Sequence, residues 1–287
     1  MIYLARYAEI ALKGKNRTDF EKKLIENIKT QLKPEVGYLK ISRLPGRLLL
    51  ESEGEADLRR FFGLVSYSPC IKINVALKDM CSKALSLAKN HDKTSTFRIS
   101  AKRLTKLHPS TSVELNKKIG AFIVEKLGLK VDLENPGFDI GVEIIGDSAF
   151  IFEKTIPCVG GLPAGVEGKV LCLISNAAHD ASTFAAFLMM KRGCAIEITG
   201  SSELDFSLLQ HFSPDKLIFH KIKGLFELHE LANKLHCRAL VVPDTLNSLK
   251  DYSTDMLVLR PLVAFYEKEI SELSVMLEKD KSNRSLF

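Results

Sequence analysis

Val170-Leu171-Cys172-Leu173-Ile174-Ser175 runs into Asn176-Ala177-Ala178-His179-Asp180-Ala181-Ser182, and a helical stretch from Thr183 to Lys191 follows. A short apolar run bounded by polar residues reads as a buried strand. Strand, tight loop and helix is the arrangement that seats a phosphate on a helix N-terminus, cradled by successive backbone N–H groups. Glycine builds that cradle, because it accepts positive φ and lets a ligand approach the backbone closely. No glycine lies between Ser175 and Ser182. The surroundings are those of a nucleotide site, but the loop at its centre has a different composition.

Moving outward toward the C-terminus, apolar strands at 169–174, 195–199, 216–220, 238–242 and 256–259 alternate with amphipathic helices at 181–192, 225–235 and 266–278. Such alternation predicts a parallel, doubly wound sheet, whose ligands sit beyond the carboxyl ends of its strands. The 175–182 loop falls at such an end.

Toward the N-terminus the pattern changes to α+β. A strand at 2–7, a helix at 18–32 and strands at 36–42 and 47–51 around Leu44-Pro45-Gly46 give a ferredoxin-like order. The helix carries Phe20, Leu24, Ile25, Ile28 and Leu32 on one face, and Thr18 with Glu21 has capping-box spacing. A second unit has strands at 70–77, 97–102, 139–145 and 149–153. Its helix at 112–127 carries Leu115, Ile119, Phe122, Ile123 and Leu127, with Thr111 and Glu114 as a further capping box. Gly160-Gly161-Leu162-Pro163-Ala164-Gly165 punctuates the chain. The expected domains are 1–62, 63–165 and 166–287.

With 287 residues, 46% of them hydrophobic, the chain can form several cores. No apolar run approaches the roughly 18 residues of a membrane span, and Arg6 interrupts the first apolar stretch, so a cytoplasmic protein is expected. The six cysteines lack a C-x-x-C pair, which argues against a zinc ribbon, and Cys172 and Cys194 read as core residues. His211, His220, His229 and His236 show no metal-ligand spacing, and the adjacent His179 and Asp180 read as loop residues rather than an acid–base pair.

Charge is uneven. Residues 1–163 hold 27 Lys and Arg against 19 Asp and Glu, whereas residues 164–287 hold 14 against 16. A polyanion held by the front half fits that split. Arg98, Lys102, Arg103, Lys106, Lys117 and Lys118 form the densest basic group, and Lys13, Lys15 and Arg17 form a second on the loop before the first helix. Both are candidate phosphate contacts, although a solvated basic face has the same composition.

Arg6-Tyr7-Ala8-Glu9-Ile10-Ala11-Leu12-Lys13-Gly14-Lys15-Asn16-Arg17 through Phe20-Glu21 resembles the R-Y-G-E-I-x-L-K-G-x-N-R-x-x-F-E opening of the tRNA 4-thiouridine synthetases, the ThiI-type tRNA sulfurtransferases also linked to thiamine biosynthesis. Residues 97–118 with Val131-Asp132-Leu133-Glu134-Asn135-Pro136 resemble the RNA-binding THUMP domain, and Gly160-Gly161-Leu162-Pro163 resembles its exit. Leu188-Met189-Met190-Lys191-Arg192-Gly193, Leu259-Arg260-Pro261-Leu262 and Lys268-Glu269-Ile270 are similar to the family's PP-loop ATP-pyrophosphatase domain. The resemblance implies tRNA gripped by the ferredoxin-like and THUMP domains, a rear domain that adenylates a uridine with ATP and Mg²⁺ before sulfur insertion, and a homodimer.

Departures from the pattern bear on activity. The family's S-G-G-x-D-S loop is replaced by residues 175–182, with two extra residues, leaving Ser175, Asn176, Asp180 and Ser182 as nucleotide-site candidates. Ala239-Leu240-Val241-Val242-Pro243-Asp244-Thr245-Leu246 stands where the family has A-L-V-T-G-[ED]-x-L. The span from Gly200 to Lys216 is short for the family. No cysteine follows Cys237, where the family's sulfur-carrying residue and rhodanese domain are expected. Three readings stand: a tRNA-binding member without adenylation or sulfur transfer, acting beside a modification enzyme; an active thiolation enzyme served by a separate sulfur carrier; and a repurposed rear domain.

Overall fold

The computed structural model describes residues 1–105, 108–202, 204–252 and 254–282. In chain order its elements are β1 (Ile2–Arg6), α1 (Arg17–Val36), β2 (Leu39–Leu44), β3 (Arg47–Ser52), β4 (Ser66–Pro69), β5 (Ile71–Asn74), α2 (Leu77–Ala88), β6 (Thr96–Arg103), α3 (Ser112–Leu127), β7 (Lys130–Val131), β8 (Phe138–Ile145), β9 (Ser148–Phe152) and β10 (Ile156–Pro157). There follow β11 (Lys169–Leu173), α4 (His179–Lys191), β12 (Ala195–Gly200), α5 (Ser207–Phe212), β13 (Phe219–Lys221), α6 (Leu228–Lys234), β14 (Ala239–Val241), β15 (Leu257–Leu259) and α7 (Glu267–Ser282). These elements divide into two compact units, each discontinuous in sequence.

The first unit comprises Met1–Tyr7, Glu35–Arg59 and Val65–Cys158. One of its sheets is antiparallel, in the order β10-β4-β1-β3-β2, and the other runs β5-β9-β8-β6-β7 with β6 parallel to both β7 and β8. Strand β6 shows how period 2 sorts chemistry. Phe97, Ile99 and Ala101 are buried with Leu115, Ile119 and Ile123 of α3, while Arg98, Ser100 and Lys102 occupy the opposite face. The capping box forms as expected: Glu114 N–H donates to Thr111 Oγ1 at 3.2 Å and Thr111 N–H to a Glu114 carboxylate oxygen at 2.7 Å. Helix α2 is not among the expected elements, although Leu77, Met80, Cys81, Ala84 and Ala88 recur at helical spacing. It lacks a side-chain N-cap, and its buried face of Met80, Cys81, Ala84 and Ala88 is mostly small.

The second unit comprises Ala8–Pro34, Arg60–Leu64 and the chain from Val159 onward. Its sheet is fully parallel in the order β13-β12-β11-β14-β15, so the winding direction reverses between β11 and β14. Val170, Cys172 and Ile174 pack with Phe184, Phe187 and Phe212, while Leu171 on the other face packs with Leu240 and with Leu228 of α6. Helix α1 starts at Arg17, one residue before the expected cap. Its Glu21 accepts from Arg17 Nε at 2.8 Å, and Asn27 Nδ2, buried, donates to Ala164 O at 2.9 Å. The helix continues to Val36 before Gly37 turns out at φ +71°, which moves the expected strand at 36–42 to β2. Gly161 is fixed by space as well as by φ: a Cβ there would lie 2.2 Å from Lys191 O.

Candidate functional site

The carboxyl ends of β11, β12, β13 and β14 surround a cavity of about 430 Å³ lined by Leu173 to Ser175, Ser201, Ile222 to Leu225, Pro243 and Asp244. It lies at the reversal between β11 and β14, where a doubly wound sheet opens a crevice. The loop at its edge is wound inward on itself. Residues Asn176–Ala178 form a 3-10 turn, Ala178 N–H returns to Ser175 O at 3.2 Å, and α4 starts at His179. Ser182 Oγ accepts Ser175 N–H at 3.1 Å and donates to Ala178 O at 2.7 Å. No residue from Ser175 to Ser182 has positive φ. A backbone nest needs such a residue and inward-facing N–H groups; here the Ser175 N–H is held by the Ser182 side chain. Asp180, exposed, lies in the first turn of α4 and is directed to solvent rather than held by the loop. Asn176 Oδ1 accepts from Ser202 Oγ at 2.8 Å. The residues present therefore do not fit an ATP pyrophosphate.

His179 Nε2 faces Asp205 O at 2.8 Å, and its Nδ1 is 3.6 Å from Asp180, beyond hydrogen-bonding range. Asp244, 3% exposed, accepts from Tyr252 Oη at 2.6 Å, Lys250 N–H at 3.1 Å and Arg260 Nε at 3.2 Å. These bonds join two loops, and burial followed by the Asp244 bond raises the Tyr252 pKa. The thiols offer no ready nucleophile. Burial pushes Cys237 up to about 11 and both Cys70 and Cys158 up to about 12, and it also raises Cys81, Cys172 and Cys194. Sulfur chemistry needs the thiolate. Among the described residues no group of three or more His, Cys, Asp or Glu side chains could hold a metal ion, and no helix is long and apolar enough to cross a membrane.

In the first unit, a cleft of about 460 Å³ collects Arg6, Arg98, Ser100, Lys102, Glu143 and Phe152 among its walls. Glu143 is the centre of its charge network. The carboxylate, almost fully buried, accepts from Arg6 Nε and Arg47 Nε, each at 2.8 Å. Burial alone would raise its pKa, but the Arg47 hydrogen bond and the Arg6 charge outweigh that, and the net shift is downward. Arg6 also donates to Ser68 Oγ at 3.0 Å and lies 4.8 Å from the Phe152 ring centroid. That ring covers Gly141, where a Cβ would come within 2.2 Å of it. In the sequence Arg6 stands out as part of a motif and as the charge that interrupts the first apolar stretch, and the one signal for Glu143 is that a lone glutamate interrupts the apolar end of Phe138–Ile145.

The basic candidates take different roles. Arg98 chelates Asp139 Oδ2 through Nε at 3.0 Å and Nη2 at 2.6 Å, and its Nη1 donates to Leu133 O at 2.9 Å. Arg103 donates to His108 O at 2.9 Å and Lys118 to Ser110 Oγ at 3.1 Å, so the two brace one turn. Lys102 and Lys117 are exposed, and Lys106 lies outside the described residues. In the second unit, Lys13 pairs with Glu167 at 3.3 Å, Arg17 with Glu21 at 2.8 Å, and Lys15 is exposed in a 3-10 turn.

Comparison with known proteins gives two domain matches: the ThiI ferredoxin-like domain over residues 2–68 and the THUMP domain over residues 75–152. A probable tRNA sulfurtransferase of Methanocaldococcus jannaschii is 35% identical over 295 aligned positions, covering 98% of this chain and 67% of the relative. A probable tRNA sulfurtransferase of Thermoanaerobacter pseudethanolicus is 37% identical over 202 positions, 68% of this chain and 52% of that protein. The chain thus spans about half the length of the bacterial relative. Among solved structures, PH1313 of Pyrococcus horikoshii superposes with a TM-score of 0.85 at 28% identity, covering 96% of this chain and 99% of that one. A 4-thiouridine synthetase solved as an RNA complex with bound ATP superposes at 0.77 and 25% identity, covering 96% and 84%.

Proposed function

The chain belongs to the tRNA sulfurtransferase family, and on that premise we propose that it is a tRNA-binding member in which adenylation and sulfur transfer are lost. The observation that carries the loss is the 175–182 loop, closed by the Ser182 hydroxyl and without a positive-φ residue. The raised pKa values of the thiols support it. tRNA binding is supported by the THUMP match, by the RNA in the related 4-thiouridine synthetase complex and by the net positive charge of residues 1–163. Exposed Lys102 and Lys117 are the contacts of first choice, with Lys15 as a further one. The domain division at 62 and 165, a homodimer, a cytoplasmic location and work beside a modification enzyme belong to the same proposal.

The second reading is an active thiolation enzyme that takes sulfur from a separate carrier. The cavity beyond the parallel strands favours it, because that space remains open beside the closed loop. Calorimetric titration of the purified chain with ATP–Mg²⁺, with and without bulk tRNA, separates the two when run beside tRNA filter binding over a range of salt. Salt-sensitive tRNA retention without ATP uptake is expected. Saturable ATP uptake would overturn the loss, and absence of tRNA retention would overturn the binding itself.

A further inference from the structure

The cleft face of β6 and β8 carries its side chains in rungs. The two strands are parallel, and Arg98 stands beside Asp139, Ser100 beside Gly141 and Lys102 beside Glu143. Neighbouring strands run about 4.8 Å apart, so a rung of opposite charges should close into an ion pair. The first rung does: Arg98 Nη2 holds Asp139 Oδ2 at 2.6 Å, and the other Asp139 oxygen is buried. The third does not. Lys102 is exposed and makes no ion pair among the described residues, although its partner in register is a carboxylate.

That carboxylate is claimed from the other sheet of the unit. Glu143 Oε1 accepts from Arg6 Nε of β1, and Glu143 Oε2 from Arg47 Nε of β3, each at 2.8 Å. Two guanidinium groups on one glutamate leave a net positive charge beside Lys102, which removes the pull of Glu143 on the ammonium. Glu153, the remaining carboxylate on the cleft wall, lies 2.6 Å from His91 Nε2. Of the described cations that line the cleft, Arg6 and Arg98 each hold a carboxylate and Lys102 holds none. Arg47 is turned inward: its side chain is 17% exposed, and its Nη1 donates to Gly46 O at 2.8 Å.

We propose that Arg47 is a positioning residue for tRNA binding: by holding the second oxygen of Glu143 it keeps the Lys102 ammonium free for a phosphate. The inference rests on the tRNA-binding reading and adds to it the residue that makes Lys102 available. Without Arg47, Arg6 and Glu143 form a neutral pair with one carboxylate oxygen open on the Lys102 rung. Lys102 then turns to Glu143, and the carboxylate competes with the phosphate for the same cation.

The test is tRNA filter binding over a range of salt by Arg47→Gln, Lys102→Ala, the two combined, and Arg47→Gln combined with Glu143→Gln, with urea unfolding to establish that each is folded. Arg47→Gln is expected to weaken retention and to reduce the log–log salt slope by about 1, as Lys102→Ala does, because one phosphate contact is lost in either case. Adding Arg47→Gln to Lys102→Ala should change affinity by less than about twofold. Adding Glu143→Gln to Arg47→Gln should restore the slope, a gain that lost stability cannot produce because the second substitution removes a further buried charge. A wild-type slope in Arg47→Gln overturns the proposal. Additive losses in the combination with Lys102→Ala also overturn it and make Arg47 a direct phosphate contact. Trace acetylation of lysines with acetic anhydride, read by mass spectrometry without RNA, is an independent arm that decides the matter if the Glu143 combination fails to fold. Arg47→Gln should lower the reactivity of Lys102 relative to Lys117, and an unchanged ratio overturns the proposal. Absence of tRNA retention by the wild-type chain would refute the binding reading, and the acetylation ratio would still decide whether Arg47 keeps Lys102 free.

Discussion

Replacing Glu143 by Gln is the sharpest test of how the front cleft is held. The substitution keeps volume and one acceptor oxygen but removes the charge. Wild-type Glu143 exposes only 3% of its side chain and binds two guanidinium groups at 2.8 Å, those of Arg6 and Arg47, themselves 12% and 17% exposed. Charge-assisted bonds contribute about 1.5–3 kcal/mol each, and removing one partner of a buried ion pair costs about 3–5 kcal/mol because the remaining charge is left uncompensated. Here two like charges would remain, so a destabilisation of about 4 kcal/mol is expected. Urea unfolding followed by far-ultraviolet circular dichroism at pH 7 measures it. The pH dependence gives an independent check. The folded pKa of Glu143 lies below its unfolded value, so its contribution is complete above the ordinary carboxylate range and is lost as pH falls through the folded value. The gap between wild type and variant must therefore narrow on acidification. A destabilisation under about 1 kcal/mol at neutral pH, or a gap that stays constant, would refute the account of Glu143 as the centre of this network.

Other consequences can be measured separately. Gly161→Ala places a Cβ 2.2 Å from Lys191 O at φ +77° and should destabilise by more than about 3 kcal/mol, read as a lowered urea midpoint. Gly141→Ala should be strongly destabilising alone and largely rescued by Phe152→Ala, since the ring is what the new methyl meets; a double-mutant cycle with no coupling contradicts this. Lys102→Ala with Lys117→Ala should weaken tRNA retention across sequences and reduce the log–log salt slope by about 1 for each phosphate these lysines neutralise, and an unchanged slope removes both from the interface. Thr111→Ala should cost about 1 kcal/mol because α3 would no longer be capped, with tRNA affinity nearly unchanged.

Much of the fold is legible in the sequence because its signals are periodic. Leu115, Ile119 and Ile123 mark α3, and its capping box fixes where it starts. The apolar strands beginning at Lys169 and Ala195 mark the parallel sheet in the same way. Helix α2 is legible in the spacing of Leu77, Met80, Cys81, Ala84 and Ala88 but has no side-chain cap to mark its start, whereas the six residues of α5, Ser207–Phe212, are too few to show a period. The rear loop can be read from its missing glycines, but the bond from Ser175 N–H to Ser182 Oγ depends on the folded geometry. The basic residues are legible as types and not as roles. Arg98 and Lys102 share a strand face, yet a carboxylate 41 residues away claims the first while the second remains in solvent.

The second unit has a consequence for how the chain can be made. Its first segment ends at Pro34 and its last begins at Val159, and Asn27 waits 137 residues for the carbonyl of Ala164. At ribosomal rates that interval is roughly 7–27 s. During it, helix α1 emerges with Leu24, Ile28 and Leu32 lacking the later segment of its unit, a window in which chaperone capture competes with self-association. A fragment starting at Val159 would carry the strands of the parallel sheet without α1 or Arg60–Leu64, the other segments of their unit. Two co-expressed pieces divided between Thr105 and His108, by contrast, would keep α1 on one polypeptide and require the halves to meet before either unit is complete.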